Sequence, residues 1–348
     1  MQIQNDFLLK NTLWYKIGGV AKYFITCSSK EDISEAFEFI HKNSIEKIFV
    51  VGLGTNLVFT DEYFDGAVIQ LVNNRHSGEE ELRLQNLIGL EKSQSDPGYG
   101  QDDEGIKITD DGIVEVFAGL VLDDLIQLSF ENNLTGLEWA GGLPGTVGGA
   151  VRGNAGAYGG EIKGSLISAE VLDYSGDKPI FKTLTNEQMQ FAYRNSFVKQ
   201  NKKMVVVSAK FGFKKTDDLG LKEAREVYNK NTQNRKDKHP LEYPNTGSVF
   251  INPREKEQVE KILVVYPDLR EMVETKWYGK VAIASLIDRW GMKGYRIGDA
   301  QISKKHALFI VNLGNAKSKD VLQIINDVKK KFFNTFGFEL EIEVEIVK

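Results

Sequence analysis

At 348 residues, 41% hydrophobic and 27% charged, the chain is long enough for two or three lobes with real cores. A net charge of −5 excludes general nucleic-acid affinity, which needs a basic surface, so an anionic ligand has to be met by a local basic cluster. The single cysteine, Cys27, excludes an intrachain disulfide. No apolar run approaches the ~18 residues of a membrane span, so a cytoplasmic location without membrane attachment is expected.

In chain order, Ile33, Ala36, Phe37 and Ile40 fall at helical spacing, with Ser29 and Asp32 as a capping box, and predict a helix over 29–43. An apolar β run at 48–51 leads into Gly52-Leu53-Gly54-Thr55-Asn56, and β-like segments follow at 57–59 and 67–72. Residues 73–108 are polar and acidic and read as a poorly ordered surface excursion with little to bury.

A strand at 113–117 and a helix near 122–132 precede residues 136–161, where ten of 26 positions are glycine. Strands are expected at 166–174 and 204–213, a lobe boundary near 216–219, a charged helix from 221 towards 238, and an amphipathic helix carrying Val321, Ile324, Ile325, Val328 and Phe332, stopped by Gly337. From 338 to 347 apolar residues alternate with Glu339, Glu341, Glu343 and Glu345, the period of a strand. The mixture of helices and strands makes the class α+β or α/β.

Gly52-Leu53-Gly54-Thr55-Asn56 follows a strand, where glycines allow backbone N–H groups to approach a phosphate. It is not a Rossmann fingerprint, since Leu57 occupies the third glycine position, and taken alone it favours an ordinary turn over a ligand site. The 136–161 tract is interleaved with Leu143, Val147, Ala150 and Val151, unlike a polar linker, so it reads as a ligand cradle with a glycine-rich connector as the alternative. His41, His76, His239 and His306 show no metal-ligand spacing, and no metal is expected.

The tract, together with Tyr193-Arg194-Asn195-Ser196, the segment Pro240-Leu241-Glu242-Tyr243-Pro244-Asn245-Thr246-Gly247-Ser248-Val249-Phe250-Ile251-Asn252-Pro253, and Phe336-Gly337 ahead of Glu343, resembles the UDP-N-acetylenolpyruvoylglucosamine reductases, in their shorter subtype. The resemblance runs from about residue 11 to the C-terminus. It implies an α+β protein with a two-lobed FAD-binding fold of the vanillyl-alcohol-oxidase type and a C-terminal α/β substrate-binding lobe. The implied divisions are 1–65, then 66–215 with the acidic insertion at 73–108, then 216–335, and a returning strand at 336–348.

The implied activity is NADPH-dependent reduction of the enolpyruvyl ether of UDP-N-acetylglucosamine in peptidoglycan precursor synthesis, with non-covalent FAD in a monomer. By position, Ser248 matches the proton donor, and Arg194 and Glu343 match the residues that steady the intermediate. Gly52, Leu53, Gly54, Thr55, Asn56, Pro144, Gly145, Thr146, Gly148, Gly149, Asn154, Ala155 and Arg235 match cofactor contacts, and Lys238, Asn252 and His306 match substrate or nucleotide contacts. Departures are Arg152-Gly153 before Asn154, a longer 254–280 segment, and Glu345 where an arginine is common.

On residue type alone, Arg194 reads equally as a surface salt bridge, Ser248 reads more readily as a turn or strand residue, and the four glutamates read as a solvated strand face. Rival readings are a flavin oxidase of the same fold and a non-catalytic nucleotide-binding module. Gly247-Ser248-Val249-Phe250 and Glu343 favour the reductase, because an oxidase has no use for a proton donor there.

Overall fold

Ser29 starts the first helix as its composition suggests: its hydroxyl accepts from the Asp32 amide at 3.1 Å, and Lys30–Lys42 buries Ile33, Ala36, Phe37 and Ile40. This helix covers a sheet ordered Gln2–Leu8, Val20–Cys27, Phe64–Leu71, Ile48–Val51, whose last two strands are parallel. The computed structural model describes residues 1–73, 105–176 and 178–348, and these divide into two compact units.

The first unit comprises 1–7, 21–53 and 65–237. Besides the sheet above, it contains an antiparallel sheet ordered Ile180–Thr185, Leu166–Asp173, Met204–Gly212, Ile113–Phe117, Ile106–Ile108. Most of the acidic stretch expected over 73–108 lies outside the described residues. Its end corrects the reading of an excursion, because Ile106 is buried and Ile106–Ile108 forms an edge strand. One core, including Ile25, Phe37, Ile69, Val116, Leu125, Val171 and Phe211, serves the unit. The helix Asp218–Lys238, expected to open the last lobe, belongs to this unit through residue 237.

The second unit comprises 8–20, 54–64 and 238–348. Helix Ser318–Phe336 buries Val321, Ile324, Ile325, Val328 and Phe332 on one face, and Gly337 caps it at φ 74°. Against that face lies a meander of Arg296–Ile297, Ala300–Ile302 and Ile310–Asn312. The 8–20 segment is tied in by the buried Asn312, whose amide donates to the Tyr15 carbonyl at 3.2 Å, while the Tyr15 hydroxyl donates to the Ile310 carbonyl at 2.9 Å.

The continuous strand expected over 338–347 shortens to Glu345–Val347. The C-terminal segment changes partner midway. Ile342 forms an antiparallel bridge with Phe250, and Glu345–Val347 then pairs in parallel with Leu57–Phe59. A strand cannot keep one register through such a change, so the alternation breaks after Val344.

Candidate functional site

In the first unit the glycine tract is not a loop throughout. Thr146 caps a short helix, Val147–Gly153, with its hydroxyl accepting from the Gly149 amide at 3.4 Å. A hairpin follows, pairing Gly156–Ala157 with Gly160–Glu161. Several glycines are required by the protein's own packing. A methyl group on Gly148 would lie 2.8 Å from that of Ala118, one on Gly160 would enter the Trp139 ring, and one on Gly141 would strike the Tyr228 carbonyl. Gly153 and Gly159 instead face open space.

Gly52 belongs to the same arrangement, since a side chain there would collide with the Thr146 hydroxyl. Both glycine segments, distant in sequence, therefore meet in this unit at Gly52 and Thr146. Leu53 is buried and Pro144, Gly145 and Ala155 are half-buried, while Gly149 is exposed.

Three hydrogen bonds stitch the Tyr193–Arg194 turn onto the tract. Asn154 donates through Nδ2 to the Ala192 carbonyl at 3.0 Å, Ser196 Oγ donates to the Arg152 carbonyl at 2.6 Å, and Arg194 Nη2 donates to the Gly156 carbonyl at 2.7 Å. Asn154 also accepts from the Lys163 amide at 3.1 Å and donates to Glu161 at 3.2 Å. The fully buried Asn154 side chain thus serves the protein, and its left-handed backbone, φ 43°, suits asparagine. Arg194 is also left-handed, φ 55°, at the tip of a turn closed by Ala192 and Asn195. That strain is tolerated because the stitches fix the turn.

Arg235 reaches the tract from the helix Asp218–Lys238. Its Nε donates to the Gly141 carbonyl at 3.1 Å and its guanidinium sits 5.4 Å from the centre of the Tyr158 ring. Arg235 is only 8% exposed, and no carboxylate pairs with it among the described residues. Burial, and then the neighbouring Arg194 guanidinium, lower its pKa. A buried guanidinium beside another cation, with one carbonyl and one ring for partners, is a place made for an anion. Residue-type reasoning could not see this, because the burial and the two arginines' proximity are tertiary facts.

In the second unit, main-chain bonds set the geometry. Val249 accepts from the Glu343 amide at 2.8 Å, which places Glu343 beside the residue next to Ser248. Asn56 Nδ2 donates to the Glu343 carbonyl at 3.3 Å, and Asn56 accepts from the Glu345 amide at 3.1 Å. Thr55 and Asn56 are half-buried, and Gly54, φ 72°, lies against Leu13.

Ser248 is half-buried and its hydroxyl makes no hydrogen bond among the described residues. The preceding turn is closed by Asn245, whose Oδ1 accepts from the Gly247 amide at 3.0 Å. Thr246, which the motif reading passed over, buries its hydroxyl without a hydrogen-bond partner among the described residues. Glu343 and Glu345 are half-buried while Glu339 and Glu341 are exposed.

Asn252 Oδ1 accepts from the Ile283 amide at 3.0 Å, at the start of helix Ile283–Arg289, so the amide Nδ2 is the group left to meet a ligand. His306 accepts at Nδ1 from the Leu308 amide at 3.3 Å, which assigns its proton to Nε2. Burial, followed by nearby Lys293, depresses its pKa and keeps it a neutral N–H donor. Its ring meets that of His239 edge-on at 5.4 Å, and Lys238 is exposed.

Among the described residues no cluster of three or more potential ligands could hold a metal ion, and no helix is long and apolar enough to cross a membrane.

A family model described as UDP-N-acetylenolpyruvoylglucosamine reductase, C-terminal domain, matches residues 239–347, and one described as FAD binding domain matches residues 102–177. The chain is 33% identical over 343 residues to the UDP-N-acetylenolpyruvoylglucosamine reductase of Lachnoclostridium phytofermentans, covering 99% of this chain and 92% of that one. It is 34% identical over 346 residues to that of Clostridium novyi, with the same coverage. Among solved structures, the UDP-N-acetylenolpyruvylglucosamine reductase from Thermus caldophilus matches over 100% of both chains at 27% identity and a TM-score of 0.69. The α+β class with a FAD-binding domain agrees with the expectation from sequence. Among the described residues, the buried Arg235 without a carboxylate partner and the open faces of Gly153 and Gly159 fit an anionic dinucleotide such as FAD.

Proposed function

The chain belongs to the UDP-N-acetylenolpyruvoylglucosamine reductase family, FAD-dependent oxidoreductases of cell-wall precursor synthesis, and we propose which of its residues carry that reaction and how. The substrate is the enolpyruvyl ether of UDP-N-acetylglucosamine, and the product is UDP-N-acetylmuramate. Bound FAD, recharged by NADPH, would supply the hydride that adds to the terminal carbon of the substrate's double bond.

Arg194 stabilises the negative charge that then gathers on the adjacent carbon and its carboxylate. A guanidinium suits this task because it stays protonated and can grip a carboxylate through two hydrogen bonds. The stitched turn holds its backbone at no cost during the reaction. Ser248 delivers the proton to that carbon, a role worth about 10²–10⁴-fold when the donor is well placed. With no hydrogen bond to the described protein, its hydroxyl is available to be oriented by the bound substrate.

Glu343 supports the intermediate from a main-chain position locked to Val249. Arg235 and the Gly52 and Thr146 region hold the cofactor. Asn252 Nδ2, the neutral His306 and Lys238 contact the substrate's nucleotide portion.

The observation that carries the cofactor assignment is the buried Arg235 guanidinium, which has no carboxylate partner among the described residues. Anaerobic titration with NADPH should bleach the FAD-replete protein, and the enolpyruvyl UDP-sugar should restore the yellow colour. Reduction without reoxidation by that sugar would move the assignment to a flavin enzyme with another substrate.

A further inference from the structure

Inside the first unit lies a polar cluster that the reaction does not use. Asp123, in the first turn of helix Leu122–Glu131, is 8% exposed. The Tyr228 hydroxyl, from the facing helix Asp218–Lys238, lies 2.9 and 3.1 Å from its two carboxylate oxygens. Tyr228 also packs edge-on against Phe130, at 5.9 Å between ring centres. Burial raises the Asp123 pKa to about 6, against the opposing pull of the Tyr228 hydroxyl and of the Gly142 backbone amide.

The same helix grips the start of the glycine tract at successive turns. Its Tyr228 carbonyl abuts Gly141, Asn231 Nδ2 donates to the Trp139 carbonyl at 3.2 Å, and Arg235 Nε donates to the Gly141 carbonyl at 3.1 Å. The helix buries Ala224, Asn231 and Arg235, and its apolar contact with the core is a short stripe of Leu221, Ala224 and Tyr228 in its first half. Beyond that stripe, polar contacts set its height against the tract. Of these, the Asp123–Tyr228 pair joins the helix to a neighbouring helix, and Asp123 also meets the Gly142 backbone amide of the tract.

We propose that the Asp123–Tyr228 pair is a positioning device for cofactor binding, fixing the helix that carries Asn231 and Arg235 so that the 139–142 backbone and the Arg235 guanidinium are in place before FAD binds. The inference rests on the flavin assignment above. Preorganisation raises affinity by removing the ordering cost from the binding step. Neither Asp123 nor Tyr228 need touch the ligand, so their effect falls on cofactor affinity and not on the chemistry of the loaded enzyme.

The test is FAD binding to apoprotein, followed by flavin fluorescence, with thermal unfolding of the same apoproteins measured alongside. Tyr228→Phe should weaken FAD binding about tenfold, the worth of one hydrogen bond to a charged group, while the apoprotein unfolds near the wild-type temperature. Asp123→Asn, which keeps an acceptor for the Tyr228 hydroxyl, should lose less affinity. If Tyr228→Phe leaves Asp123 too costly to bury, the double variant Asp123→Leu with Tyr228→Phe removes both polar partners and should recover the fold while still binding FAD weakly. Wild-type affinity in folded Tyr228→Phe, or in the folded double variant, overturns the proposal. A wild-type apoprotein that fails to bind FAD overturns the flavin assignment instead.

Discussion

The Arg194 region and the Ser248–Glu343 region are held by different means. Arg194 sits on a left-handed turn pinned by side chains, with Asn154, Ser196 and its own guanidinium bonding to main-chain carbonyls. Ser248 and Glu343 sit on main chain, tied through Val249, Ile251 and Asn56 by backbone amides and carbonyls. In the second region the Ser248 hydroxyl makes no hydrogen bond among the described residues, so it can be altered without moving the scaffold. In the first, removing a supporting side chain releases the turn.

The largest expected effect uses this separation. Ser248→Ala should leave FAD reduction by NADPH near wild type and slow reoxidation by the enolpyruvyl substrate about 10²–10⁴-fold, with unchanged thermal stability. Equal slowing of both half-reactions in stopped-flow traces would mean that Ser248 supports the site as a whole.

Asn154→Ala tests the opposite case. It removes the bonds to Ala192, Glu161 and Lys163 and strains a left-handed position, so denaturant unfolding should show a loss of about 2–4 kcal/mol. Asn154→Gly relieves the strain alone and should recover less than half of that loss. Full recovery by glycine would show that backbone conformation, not the stitching, holds the turn.

A pH signature sharpens the contrast further. The Asp123 pKa, about 6 when folded, lies above its ordinary value near 3.9, so the folded state keeps a proton that the unfolded chain has released. This contribution is therefore complete below about pH 4 and is lost as pH rises to about 6, by about 2–3 kcal/mol. In Asp123→Asn that downward component should vanish from unfolding free energies measured across the interval. An unchanged slope would assign it to other groups.

The smallest effect concerns the glutamates. Glu343→Gln should slow the oxidative half-reaction about tenfold, with Glu339→Gln and Glu341→Gln near wild type because those side chains are exposed. Glu345, half-buried like Glu343, is the demanding control. Similar rates for all four variants would return Glu343 to an ordinary strand face.

Sequence alone determined the features whose physics is local. Ser29 capped the first helix, although the Asp32 carboxylate turned to Ser28 and left the expected capping box half-made. The 3.6-residue spacing of Val321, Ile324, Ile325, Val328 and Phe332 gave a buried helix face, and Gly337 ended it. The glycine tract was legible as a place of close approach, and the order of its companion motifs carried the family. Tertiary structure decided what approached. The Tyr228 carbonyl, the Trp139 ring and the Thr146 hydroxyl fill space that the sequence reading had given to a ligand. It also broke the alternation at 338–347, because a change of pairing partner is invisible to a period-two pattern. Asp123 went unnoticed because an acid in a helix's first turn is ordinary, and only the packing of a second helix over it makes the carboxyl buried and bonded to Tyr228. Periodicity and capping act within one or two turns of chain, whereas burial and the pairing of charges depend on which distant segments meet.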